Sequence, residues 1–192
     1  MSKFIEFCKQ QHDINCNQKY DKNLPYSFHL NLVAKQVEKF QFILNPKDLC
    51  IALNGAWGHD LIEDARITYN DILQYSIYFE EHYPNGSNKI NISKEVAEVI
   101  YSCTELKGKN RKERHGIEYI MGLKECRLGL FVKLCDIIAN TSYGLLTNST
   151  MYNKYQEEYP IIKKELYREE FKPMFEYLEQ ILNIKILSHV EI

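Results

Sequence analysis

Apolar residues along most of this chain recur at steps of three and four, the period of an α-helix with one buried face. Phe28, Leu32, Val33, Val37, Phe40 and Ile43 form one such stripe. Val96, Val99, Ile100 and Cys103 form a second, and Phe131, Leu134, Cys135 and Ile138 a third. Sustained period-two alternation with β-branched residues is hard to find. Pro25 followed by Ser27 marks one helix start, and Asn45-Pro46 marks another, with proline at the first helical position. Tyr83-Pro-Asn-Gly-Ser-Asn88 reads as a loop from its turn chemistry. KGKNRKER, at 107–114, reads as a second, basic connector. Beyond Met151 the chain becomes charged and aromatic, and Pro160 and Pro173 each mark a fresh helical start. The pattern predicts one all-α domain over residues 1–192, a bundle of roughly eight to ten helices. Its motif-bearing core spans about 20–146 and its C-terminal helices about 150–190.

Composition adds exclusions. A chain of 192 residues buries a core without needing staples. Lys and Arg total 24 against 26 Asp and Glu, a formal charge of -2. That balance gives no general reason to expect a nucleic-acid or membrane-surface partner. The six cysteines are dispersed with no CxxC pair, which fits neither a zinc ribbon nor a disulfide scaffold. No signal-peptide pattern opens the chain, and no apolar run reaches the length of a membrane span. The expected compartment is a reducing cytoplasm.

Candidate chemistry sits in four segments. His29 follows Pro25-Tyr-Ser-Phe at the start of an amphipathic stretch. In His59-Asp60-Leu-Ile-Glu63-Asp64, a helix would place the four polar side chains on one ridge and turn Leu61 and Ile62 the other way. Lys133, Asp136 and Asn140 share a stripe of an otherwise apolar helix. The basic connector is the fourth. Two imidazoles and two carboxylates suit a divalent ion such as Mn²⁺, Fe²⁺ or Zn²⁺, with water at the open positions. Glu63 and Asp64, one turn beyond, would orient that water or move its protons.

Each segment also has a plain structural reading. His29 alone could be a capping or surface histidine, and 59–64 could be an acidic helix start stabilised by the macrodipole. Asp136 in an apolar helix is costly unless paired, and Lys133 is its obvious structural partner. His12, His82, His115 and His189 have no comparable context and read as ordinary. The basic connector is either solvated surface or a polyphosphate-steering cluster, with Lys109 and Arg111 among its cations. The aromatic tail, with Tyr155 and Tyr159, reads as core packing rather than a binding surface.

Taken in order, Pro25-Tyr26-xx-His29, His59-Asp60-xx-Glu63-Asp64 and Val132-Lys-Leu-Cys-Asp136-xxx-Asn140 resemble the H…HD…D pattern of the HD-domain phosphohydrolases. Within that superfamily the chain most resembles the RelA/SpoT-type alarmone hydrolases and their small stand-alone relatives. The stretch from Cys103 to Arg114 has the same look. The resemblance implies an all-α fold with one Mn²⁺ held by His29, His59, Asp60 and Asp136. It implies that Glu63 and Asp64 serve the water or leaving group, that Asn140 contacts the nucleotide and that Tyr26 lies near it. The family carries an Arg-Lys pair before the Pro-Tyr motif; here the stretch reads Lys19-Tyr20-Asp21-Lys22. That leaves Tyr20 to stack on a base and Lys19 or Lys22 to meet a phosphate, with Tyr143 a further base or ribose contact.

The expected activity is metal-dependent hydrolysis of a nucleotide phosphoester, removing a 3′-pyrophosphate from an alarmone of the guanosine tetraphosphate type. The alternatives are an HD-domain nucleotidase on a simpler nucleotide and a non-hydrolytic nucleotide sensor. The expected partner is a small nucleotide, with no nucleic acid and no membrane.

Overall fold

The structure is a computed structural model that describes residues 2–84 and 86–182. Ser2 caps α1 (Lys3–Lys9) by accepting from Ile5 N–H, and the helix widens into a π-helical stretch at Gln10–Asn15. β1 (Lys19–Asp21) and β2 (Leu24–Pro25) pair antiparallel in a minimal hairpin. Pro25 stands in extended conformation as the N-cap of α2 (Tyr26–Lys39). Asn45 caps α3 (Pro46–Gly58), accepting from Asp48 N–H, with Pro46 in the first turn. Both starts are where the sequence puts them.

α4 (Tyr69–Leu73) opens on a capping box between Thr68 and Asp71. It leads to a hairpin of β3 (Tyr78–Tyr83) and β4 (Gly86–Asn91), in register from Tyr78↔Asn91 to Tyr83↔Gly86. The expected loop at 83–88 is therefore only the tip of this hairpin, and part of the stretch is strand. Its strands are largely exposed on both faces, so no hydrophobic alternation announces them. Then follow α5 (Ser93–Cys103), α6 (Arg111–Arg114), α7 (Ile117–Glu125), α8 (Arg127–Thr147), α9 (Thr150–Leu166) and α10 (Lys172–Ile181). Pro160 starts no helix: α9 runs through it, its buried face carried by Tyr155, Tyr159 and Leu166. Pro173 does lie in the first turn of α10. Residues 183–192, which include His189 and the end of the expected C-terminal helices, lie outside the described residues.

α8 is the axis of the bundle and packs against α2, α3, α5, α9 and α10. Leu130, Phe131, Val132, Leu134, Cys135 and Ile138 on it are fully buried. On α2 the buried stripe is Leu30, Val33, Ala34 and Val37, so Phe28 and Leu32 are half-buried flanks rather than its centre. Close approach fixes the end of α3. A Cβ on Gly55 would come within 2.5 Å of Val99, and one on Gly58 within 2.5 Å of Ile100. Glycine at both positions lets α5 press against the turn that carries His59 and Asp60. No described helix is long and apolar enough to cross a membrane.

Candidate active site

Three elements deliver one cluster of ligand-type atoms. His29 lies in the first turn of α2, His59 at the C-cap of α3 and Asp136 in the middle of α8. All three side chains are buried. His29 Nε2 lies 3.3 Å from His59 Nε2 and 3.3 Å from Asp136 Oδ1. Asp60 Oδ2 lies 2.9 Å from His59 Nε2 and 3.7 Å from His29 Nε2. The expected helix through 59–64 is absent. α3 stops at Gly58, and successive turns follow, with Leu61 N–H donating to Gly58 and Asp64 N–H to Asp60. These turns still bring Asp60, Glu63 and Asp64 to one cleft of about 140 Å³, with His29, Asp136, Lys133 and Asn140 on its walls.

The donor set fits a divalent cation. Donors held roughly 2.0–2.2 Å from one ion must lie about 3–3.5 Å apart, and the two histidine Nε2 atoms lie 2.9 to 3.7 Å from each other and from one oxygen each of Asp60 and Asp136. His59 Nδ1 donates to Ala56 O at 2.9 Å, which aims Nε2 at the cluster. Burial alone would keep His59 neutral, yet Asp60 and Asp136 push it up to about 10. Burial likewise opposes the charge on Asp136, but Lys133 and the two histidines hold its carboxyl well below the usual range. The cluster thus sets two carboxylates against His59 and Lys133 where little water reaches. His29, His59 and Asp136 together could hold a metal ion.

Surrounding groups orient these donors. Lys133 Nζ sits 3.0 Å from Asp136 Oδ2, and Asn140 Nδ2 donates to Oδ1 at 2.6 Å. The structural pairing of Lys133 with Asp136 is therefore present, beside the histidines rather than instead of them. Asn140 also accepts from Tyr20 at 2.9 Å, and the Tyr20 ring stacks on His29 at 4.8 Å. Tyr26 donates to Asp60 Oδ2 at 2.6 Å. Its ring stacks at 4.8 Å on His12, which is fully buried. His12 Nδ1 meets Gln18 Oε1 at 2.8 Å, and Gln18 Nε2 donates to Asp64 Oδ2 at 2.7 Å. His12 is thus not the ordinary histidine its sequence context suggests: it lies beneath Tyr26 and is linked through Gln18 to Asp64. The π-helical stretch that delivers it has no simple sequence period.

Glu63 is exposed, yet partial desolvation of its carboxyl and the charges of Glu105 and Asp60 push it up to about 7. Glu105 also lines the cleft, held by Arg114 at 2.6 Å and His115 at 2.5 Å. His115 is therefore engaged as well, although the sequence reads it as ordinary. Of the basic connector, Arg111 reaches the cleft, and it forks onto Glu158 at 2.7 and 3.1 Å. Lys109 and Lys22 are exposed and lie outside the cleft lining. Tyr143 also lies outside it, donating to Asp21 at 2.8 Å. Tyr155, read from sequence as core alone, is buried and still forms part of the cleft wall.

No family model matches this chain, and no curated protein matches it. A solved structure does: a metazoan ortholog of SpoT that hydrolyzes ppGpp and plays a role in starvation responses. The two chains are 18% identical, align over 98% of each and superpose with a TM-score of 0.67, so they share the all-α fold that carries the cleft.

Proposed function

We propose that this chain is a metal-dependent phosphohydrolase that removes a 3′-pyrophosphate from an alarmone-like nucleotide. The observation that carries the reading is the convergence of His29, His59, Asp60 and Asp136, with Glu63 and Asp64 in the same cleft. The fold of a ppGpp hydrolase supports it. The four side chains would hold one Mn²⁺, with Fe²⁺ or Zn²⁺ as alternatives for mixed imidazole and carboxylate donors. A bound ion would acidify a water and polarise a phosphoryl oxygen. Glu63, with its raised pKa, takes and returns a proton near neutral pH. Asp64, fixed by Gln18, directs a water or leaving oxygen. Tyr26 and Asn140 hold Asp60 and Asp136 in aim, and Lys133 offsets the charge of Asp136.

Water adds to the 3′ chain, so guanosine tetraphosphate would yield guanosine diphosphate and pyrophosphate. The bond broken is that between the 3′ oxygen and its phosphorus: the water's oxygen ends on the released pyrophosphate, and the 3′ oxygen leaves as a hydroxyl with one of its protons. Reduced cysteines, three of them buried, agree with a cytoplasmic setting. A second reading, a nucleotidase on a simpler nucleotide, is favoured by one observation. Arg111 and Arg114 are already paired with Glu158 and Glu105, which leaves fewer cations for a polyphosphate. Chromatography of products from a nucleotide panel, with Mn²⁺ added, separates the two. Pyrophosphate release supports the first reading, orthophosphate the second, and no product from any nucleotide contradicts both.

A further inference from the structure

Behind the cleft lies a larger hollow of about 420 Å³ between α7 and α9, floored by α8. Its volume falls within the range of small-molecule sites, whereas the cleft's does not. The walls are Ile120, Leu123, Ile137, Ile162 and Leu166, with the Tyr119 and Tyr155 rings among them. Ile161 at its edge is 62% exposed, so the apolar lining continues to the surface. Such a lining favours an apolar body.

The charges around it specify the other end of a ligand. Glu158 is paired with Arg111, and Glu165 with Lys124 at 3.1 Å. Lys133 is paired with Asp136, and His115 with Glu105. Lys112 is exposed at the rim and has no ion-pair partner among the described residues. The uncompensated charge at the rim is therefore positive. Arg111, Lys133 and Tyr155 border both hollows, forming a wall between them.

We infer that this cavity binds a small amphipathic anion: a flat aromatic body among the isoleucines, leucines and tyrosines, and one carboxylate or sulfonate at Lys112. The site is separate from the metal cleft and goes beyond the hydrolase reading. Because the two share a wall, an occupant that shifts Arg111 or Tyr155 also changes the cleft's affinity for its own ligand, and the reverse holds equally.

The test is calorimetric binding of indole-3-acetate, indole and tryptamine, which share one bicyclic body and differ in charge. No turnover is measured, so the outcome is independent of whether the protein is a hydrolase. The expected order is indole-3-acetate, then indole, then tryptamine, with one site per chain. Lys112→Glu should weaken indole-3-acetate by about fivefold while sparing indole, as expected for reversing one exposed pair. Ile162→Trp, which fills the cavity from a half-buried position, should abolish binding of all three. Its melting temperature serves as the control for folding. No saturable binding to the wild type, binding that survives Ile162→Trp, or tightest binding of tryptamine would each overturn the inference.

Discussion

Two hollows share the wall of Arg111, Lys133 and Tyr155, and they are built on opposite principles. The cleft, about 140 Å³, is lined by acids that meet imidazole, amide and phenol partners at 2.6 to 3.7 Å. The cavity, about 420 Å³, is apolar, and among the described residues its flanking charges are paired except for Lys112 at the rim. The larger space is therefore not where the reactive groups are. Size alone would direct a search to the cavity; opposed charges that need each other mark the cleft. The difference lies in what each can lose. A methyl removed from the cavity wall leaves space, whereas a charge removed from the cleft leaves its partner buried and unanswered.

The largest expected effect follows from that asymmetry. Asp136→Ala strips Lys133 of its carboxylate and the two histidines of their shared acceptor. Breaking a buried pair by removing one partner costs about 3–5 kcal/mol, so denaturant unfolding should show a loss of that order. Metal content by elemental analysis should fall with it. A matched Lys133→Met change in the same background should recover part of the stability and none of the metal.

Glu63→Gln comes next. It should keep the fold and the metal and lower kcat on the order of 10²–10⁴-fold. The sign of the pH dependence follows from the raised pKa: Glu63 accepts a proton only when ionised, so activity rises with pH through its titration. The acidic limb of the wild-type profile should lie above 4.5, the ordinary carboxylate value, and at or below about 7, because a bound cation draws it down. In Glu63→Gln that limb should vanish.

Gln18→Ala sharpens the comparison from a distance. It unties Asp64 from His12 without touching a donor. Loss of an orienting partner typically costs 10–100-fold, and here it should appear in kcat with KM and metal content little changed. Gln18→Glu should not rescue, since a second carboxylate would repel Asp64. Smallest of all should be Lys109→Ala. Its side chain is exposed and outside the cleft lining, so kcat/KM should change by less than about twofold at 0.15 M salt, where the Debye length is about 8 Å.

What could be read from the sequence was local incongruity. Asp136 in a run of buried apolar residues, and His-Asp directly after a glycine-rich helix end, stand out because each is costly without a purpose. The capping residues at Asn45 and Pro25 placed the helices that carry the histidines. The missed features depend on contacts between distant stretches. Arg111 meets Glu158 across 47 positions, and Gln18 meets Asp64 across 46. Nothing in either neighbourhood announces its partner. The exposed hairpin buries too little on either face to leave a period of two, and the turns at 59–64 mimic a helix ridge because they keep an Asp60–Asp64 bond of helical spacing.

The central claim is that the four convergent side chains hold an ion on which hydrolysis depends. Mn²⁺ titrated into chelator-stripped protein, with pyrophosphate release from guanosine tetraphosphate recorded at each step, tests it most directly. The account predicts activity rising in proportion to bound Mn²⁺ and levelling at one ion per chain, with Asp60→Ala showing neither the ion nor the rate. Turnover that persists in the stripped protein, or that Asp60→Ala retains, would contradict it.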